Sequence, residues 1–455
     1  MNIKNKDIIN IKIENLALGG EGIGKYNDLV IFVPNSLPED ILKIEIISVK
    51  KNYARGLIKE IISPSSKRVN AKCNVVNYCG GCQWMNLDYL EQLKQKEKIV
   101  IDTINKIGNI TLEKIKNVYK GIIPSKNNYF YRNKVQIPFK FENNRIKAGF
   151  YSLKSHEIVE FEKCYIQSEL INSIFKDIKK FIVKNNLNIY DEKTNKGFLR
   201  HVIIRHSLYT NQVLIGFVTK KGEFHNIKDF ISEITKKYSE VKGIIQNIND
   251  NKGNTILGKE DKLLWGQNYI IERFKDLQYK ISLKSFFQIN SEQAVVLYDK
   301  IKEFCNLTGK EIIFDAYSGT GSIGLYLANQ SKYVIGVESI KDAVLDGIEN
   351  AKLNNINNFI ILNDKVENCF DRIVKKYNPD ILILDPPRKG CDKSIFDNID
   401  KYNIKKIIYV SCNPATLARD LRLIIGKNFE IKKLLSIDMF SHTYHIENIA
   451  LFEKF

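Results

Sequence analysis

The stretch Glu311-Ile312-Ile313-Phe314-Asp315-Ala316-Tyr317-Ser318-Gly319-Thr320-Gly321-Ser322-Ile323-Gly324 reads as a buried strand, a tight turn and a helix that begins near Ser322. Glycine accepts positive φ and lets a backbone approach a ligand closely. The next strand, Val334-Ile335-Gly336-Val337-Glu338, ends in a carboxylate that can accept both hydroxyls of a ribose. Gly319, Gly321 and Gly324 also spell a dinucleotide pattern, so that ligand competes. Asp315, just before the turn, fits a cationic sulfonium better than a pyrophosphate. No Lys-Ser or Lys-Thr follows, as a P-loop requires. The segment therefore favours S-adenosylmethionine.

Working outward, strand-like runs alternate with helical ones from about residue 282. The strand candidates are Ile312 to Phe314, Tyr333 to Val337, Phe359 to Leu362, Ile381 to Leu384 and Ile407 to Val410. Such alternation implies a doubly wound parallel sheet. The run Asp380 to Leu384 leads into Asp385-Pro386-Pro387-Arg388. Two prolines cannot continue a ladder, so the chain turns there and leaves Asp385 at the carboxyl end of its strand. Open α/β sheets bind their ligands at that edge.

The next strand carries Tyr409-Val410-Ser411-Cys412-Asn413-Pro414, which puts Cys412 on the same edge. A cysteine there suits a nucleophile, although a small buried thiol is the plainer reading of any single cysteine. Carbon 5 of uracil is itself a poor nucleophile. Addition of a thiolate to carbon 6 generates an enolate that can attack an electrophilic methyl group. Arg388 and Arg419 are candidates to favour the thiolate. The proton on carbon 5 must then leave, which requires a general base. Glu447 lies just before the last strand, Ile449 to Phe452, with His442 and His445 as competitors better explained by loop packing. Cys305, Cys369 and Cys391 are expected to be idle thiols.

The other four cysteines behave differently. Cys73, Cys79 and Cys82 give C-x5-C-x2-C with Gly80-Gly81 at the turn, and Cys164 follows downstream. This is a metal-type spacing, open to zinc or to an iron–sulfur cluster.

Bulk properties agree with a folded, nucleic-acid-facing chain. The 455 residues allow about three domains, and 44% hydrophobic content permits a sizeable core. The net charge of +18 favours a polyanionic partner, although a Lys-rich composition contributes to it. No apolar run is long enough to span a bilayer and the start lacks an apolar signal core. A cytoplasmic protein without a membrane or an implied protein partner is expected. Residues 1–62 read as short strands with Gly-rich turns, including Gly19 to Gly24, hence a small β-barrel. Residues 63–281 form a β-rich centre holding the cysteine cluster, with a helix over 89–107 that is a candidate to pack on the catalytic domain. Residues 282–455 form the catalytic domain.

The Gly-rich loop, Asp385-Pro386-Pro387-Arg388, Ser411-Cys412-Asn413-Pro414 and His442-Thr443-Tyr444-His445-Ile446-Glu447 together resemble the RNA uracil-5-methyltransferase family. The resemblance covers nearly the whole chain. It implies a multidomain α/β fold: a Rossmann-like methyltransferase domain, an N-terminal TRAM-like RNA-binding barrel and a central iron–sulfur domain. It implies that Cys412 is the nucleophile and Glu447 the base. Cofactor contacts carry over to Gln288, Tyr317, Glu338 and Asp385, with Asp364 a weaker adenine-side candidate. Phe286 or Phe287 is a candidate to stack on a flipped base. The resemblance also resolves the metal, since the ribosomal-RNA branch carries a [4Fe-4S] cluster on cysteines matching Cys73, Cys79, Cys82 and Cys164. The segments Tyr131-Arg132-Asn133-Lys134 and Leu199-Arg200-His201-Val202 match further candidate RNA contacts. The expected activity is methylation of a uridine in 23S ribosomal RNA. Transfer RNA is the runner-up substrate. A catalytically silent RNA-binding assembly factor is the rival from another class. Cytosine-5 methylation is disfavoured, because such enzymes place a cysteine after proline where Asp385-Pro386-Pro387-Arg388 stands.

Overall fold

The computed structural model describes residues 3–153 and 155–455. Its strands Ile8–Leu16, Gly22–Tyr26, Leu29–Val33, Ile41–Val49 and Tyr53–Ser63 close into a barrel filled by residues such as Ile13, Ile31 and Ile44. The glycines read as a turn cluster divide here. Gly20 turns the chain at φ +82°, whereas Gly22 and Gly24 lie within a strand. A Cβ on Gly24 would sit 2.4 Å from the Lys12 carbonyl, so glycine is needed for close strand approach in so small a barrel.

The centre is built on a seven-stranded sheet. Its strands include Lys134–Glu142, Leu199–His206 and Val213–Thr219. Two helices, Glu169–Lys184 and Ile227–Lys237, cover one face of the sheet through Ile174, Ile178, Phe230 and Ile234.

The catalytic sheet has eight strands. Their spatial order is Phe359–Asn363, Tyr333–Glu338, Ile312–Ala316, Ile381–Leu384, Lys406–Ser411, Glu447–Lys454, Phe429–Ile437 and Tyr119–Ile123. The first five are parallel and Glu447–Lys454 runs antiparallel to both its neighbours. Chain order reverses beside Ile312–Ala316, with Tyr333–Glu338 on one side and Ile381–Leu384 on the other. That reversal opens a ligand crevice at the carboxyl ends of the strands. Ile381 to Leu384 are all buried, as expected of a strand covered on both faces.

Two elements that precede the central sheet in the chain pack with the catalytic sheet. Helix Tyr89–Lys106, capped by Asp88, lies against helix Pro414–Ile425. Tyr119–Ile123 pairs in parallel with Phe429–Ile437 as the edge strand. Apolar burial drives both placements, since Val100, Ile104 and Val118 share one core with Leu417 and Leu434.

Candidate active site

The Gly-rich turn follows Ile312–Ala316 as the sequence indicated. Tyr317 takes φ +69°, Gly319 +56° and Gly321 +74°, and helix Ser322–Ala328 starts immediately afterwards. The turn is held by Asp315. Its Oδ2 accepts the Ser318 hydroxyl at 2.7 Å and the Gly324 N–H at 3.0 Å. Its Oδ1 is buried with no partner. A Cβ added to Gly319 would meet nothing within 4 Å. An open cradle over Gly319 and an unsatisfied carboxylate oxygen beneath the turn fit a cationic nucleotide-like cofactor. Burial pushes the Asp315 carboxyl up to about 6.

Glu338 closes the other wall. Its Oε2 accepts the Gly319 N–H at 3.1 Å, and its Oε1 accepts the Ile340 N–H at 2.8 Å. A carboxylate retains acceptor capacity beyond these bonds. Asp364 is a neighbour through its backbone, whose N–H donates to the Glu338 carbonyl at 3.1 Å. Its side chain is paired with exposed Arg372 at 2.9 Å. Gln288 lies in the segment joining the centre to helix Ser291–Cys305, and its carbonyl accepts from Asn133 at 2.9 Å. Phe287 is buried against Phe274 and Tyr279, so it packs the core and cannot stack on a base. Phe286 is 66% exposed.

The reactive edge is assembled by pairing register. Ser411 pairs with Asn448 in the antiparallel ladder, and one step further sets Cys412 opposite Glu447. Asn448 donates to the Ser411 carbonyl at 3.2 Å and accepts from Ser436 at 2.8 Å, which anchors the junction. Cys412 is half-buried and Glu447 is buried. Asp385, from the adjacent strand, is half-buried beside them. The Pro-Pro turn is tied to this edge through the Arg388 carbonyl, which accepts from Asn413 at 3.0 Å.

Electrostatics couple these groups. Burial pushes Asp385 up to about 7, with Asp315 adding to the rise. Burial raises Glu447 well above the usual carboxyl range; Asp385 adds to this and Arg388 opposes it. The Cys412 thiol is pushed up to about 11 by burial, then by Glu447, with Arg388 again opposing. The structure thereby selects Arg388 over Arg419, which is paired with Asp420 at 2.7 Å. His442 is buried, contacts Gln92 and is lowered to about 4 by burial, so it serves packing. Cys305, Cys369 and Cys391 are buried.

Cys73, Cys82 and Cys164 pack around Met85, Tyr131 and Ile166, and Cys79 lies within electrostatic reach of Cys82. Cys79 accepts the Gly81 N–H at 3.4 Å. Burial, and then mutual repulsion, raises the Cys79, Cys82 and Cys164 thiols. Among the described residues, no group of three or more His, Cys, Asp or Glu side chains is arranged to hold a metal ion. The thiols are therefore gathered but not drawn into a single-ion site. The flanking segments expected to touch RNA are largely internal. Tyr131 is buried, and Arg200 is buried beneath the Asn249 and Asn251 carbonyls, both 2.8 Å from its guanidinium.

Residues 88–455 match the family model described as tRNA (Uracil-5-)-methyltransferase, and residues 4–59 match the TRAM domain. The chain belongs to this family of RNA (uracil-5-)-methyltransferases, which draw their methyl group from S-adenosylmethionine. An uncharacterised RNA methyltransferase of Clostridium tetani is 40% identical over 450 residues, covering 99% of this chain and 97% of that protein. One from Halalkalibacterium halodurans is 38% identical, covering 99% and 98%. Among solved structures, the Pyrococcus abyssi tRNA (uracil-54, C5)-methyltransferase in complex with S-adenosyl-L-homocysteine superposes with TM-score 0.78. It is 27% identical, covering 98% of this chain and 100% of that one. No helix among the described residues is long and apolar enough to cross a membrane.

Sequence reasoning overlooked Lys96 and Asp438, which form a buried ion pair beside this site. A signal existed. Lys96 falls at helical spacing between Leu93 and Val100, on the face that the helix buries.

Proposed function

We propose that this protein methylates carbon 5 of a uridine in 23S ribosomal RNA through a covalent adduct with Cys412. The observation that carries the reading is the register that sets Cys412 opposite Glu447 on the open edge of the sheet. The Cys412 thiolate adds to carbon 6 of the uracil, and its electron pair moves through the ring to carbon 5. S-adenosylmethionine, when bound, would supply an electrophilic methyl group to carbon 5 and leave as S-adenosyl-L-homocysteine. Glu447 then takes the proton from carbon 5, the double bond re-forms and the Cys412 sulfur leaves. Asp385, Tyr317, Asp364 and Gln288 contact the cofactor, and Glu338 takes the ribose. Arg388 favours the ionised forms of both Cys412 and Glu447.

In this reading Cys73, Cys79, Cys82 and Cys164 hold a [4Fe-4S] cluster with a structural or RNA-positioning role. Mutual crowding of the four thiols and an N–H···S bond to Cys79 support it, because a cubane spreads its four cysteines over four irons. Protein purified without oxygen should be brown with about four irons per chain. Colourless protein with one zinc would refute the assignment.

A second reading, methylation of a transfer RNA, is favoured by likeness to the Pyrococcus abyssi enzyme over 98% of this chain. One assay separates the two. Ribosomal RNA and transfer RNA, each tritiated at carbon 5 of uridine, are incubated with protein and cofactor. Tritium release from ribosomal RNA, mapped to one site, supports the first reading. Release from transfer RNA alone establishes the second, and release from neither rejects both.

A further inference from the structure

Glu447 opens its strand directly after the loop 438–446, and the other end of that loop is pinned. Asp438 follows Ile437, and Ile437 pairs with Glu447. The loop thus joins two residues that face each other across a hairpin, so any shift at Asp438 is transmitted to the base.

Helix Tyr89–Lys106 supplies the pin. The Lys96 and Asp438 side chains are 0% and 1% exposed. Lys96 Nζ stands 2.5 Å from Asp438 Oδ1 and donates to the Phe440 carbonyl at 3.1 Å. Asp438 Oδ2 accepts hydroxyls from Tyr89 and Ser441, each at 2.7 Å. One turn along the helix, Gln92 Oε1 accepts the His442 N–H at 2.9 Å. A buried ion pair is a weak source of stability, and its best-attested use is to specify one arrangement. Buried Met439 and Ile446 and bonds from Asn290 and Gln293 to the loop carbonyls also hold this loop, but the Asp438 carboxylate itself is fixed by the charged network.

We propose that Lys96 is a positioning residue for Glu447, acting through Asp438 to fix the loop that presents the base. The inference rests on the reading of Glu447 as the base. It predicts a defect confined to one step. Cys412 sits outside the loop 438–446, in the turn after Lys406–Ser411, where the Ser411 hydroxyl donates to the Asn413 carbonyl and accepts the Asn413 N–H. Addition to carbon 6 and methyl transfer should therefore survive loss of the pin, while removal of the carbon 5 proton should not.

The test uses full-length Lys96→Met, Tyr89→Phe and Glu447→Gln proteins with RNA and cofactor tritiated in the methyl group. Turnover and denaturant-stable, methyl-labelled adduct are measured together. A general base contributes about 100- to 10,000-fold, so partial displacement should slow Lys96→Met turnover about 30-fold while labelled adduct accumulates. Tyr89→Phe, which removes one hydroxyl, should slow turnover about 3-fold with the same adduct signature. Turnover and adduct falling in proportion, or wild-type turnover by Lys96→Met, would overturn the proposal. Should Lys96→Met fail to fold, adduct with Tyr89→Phe supports it and its absence overturns it. Adduct with Glu447→Gln but neither helix variant sinks this inference alone. No adduct with Glu447→Gln overturns the base assignment, and this inference falls with it.

Discussion

Without RNA, Cys412 should be a sluggish thiol. Burial and Glu447 push it up to about 11, so at pH 8 about one molecule in a thousand carries the thiolate. An unperturbed thiol of pKa about 8.5 is roughly one-quarter ionised at that pH. The ionised fraction is thus roughly 240-fold lower. A more basic thiolate is also a better nucleophile, with a Brønsted slope of about 0.45, which returns about 13-fold. The net expectation is attack on an aromatic disulfide about 20-fold slower than by free cysteine at pH 8. Between pH 8 and pH 10 the rate should climb close to tenfold per pH unit. Arg388→Ala should slow labelling further, because it removes the cation that opposes the rise. Glu447→Gln should speed it toward the alkaline end of that range, where the raised carboxyl ionises and adds the second cause of the rise. Quenched samples digested and read by mass spectrometry isolate the Cys412 peptide from the other seven cysteines. Labelling of Cys412 as fast as free cysteine at pH 8, or a rate flat across that range, would refute the reasoning. So would a shift in the same direction for both variants.

Other outcomes follow from the same geometry. Asp385 binds its proton more tightly folded than unfolded, so stability is lost as pH rises from its unfolded value through about 7; Asp385→Asn should gain about 1–2 kcal/mol at pH 8 and little at pH 4 in urea unfolding, while binding cofactor less well. Gly319→Ala should lose about 1 kcal/mol from its left-handed backbone, and its new methyl group should weaken cofactor binding in calorimetry by at least roughly tenfold. Trp84 is fully buried between the barrel residues Leu16 and Leu37 and donates to the Gly20 carbonyl at 3.1 Å, so Trp84→Ala should cost about 3–5 kcal/mol and expose the barrel to limited proteolysis. RNA affinity should fall steeply between 50 and 200 mM salt, with a linear log–log slope in filter binding, if the +18 charge drives association.

Local chemistry alone was enough for much of this molecule. Apolar runs of strand length, a glycine turn between strand and helix, and prolines that end a strand are all written in neighbouring residues. From them came the parallel sheet, the cofactor edge, the family and the short list that includes Cys412 and Glu447. Long-range pairing decided the rest. Only the antiparallel return of Glu447–Lys454 beside Lys406–Ser411 puts the thiol opposite the carboxylate, and register between distant segments has no local signature. The strand Phe429–Ile437, which the alternation did not reveal, is what anchors that return. Only tertiary burial sends Phe287 into the core, ranks Arg388 above Arg419 and closes Gly22 and Gly24 into a barrel wall. Only packing brings helix Tyr89–Lys106 across to the catalytic sheet, because an amphipathic face specifies that it will be covered and not by what.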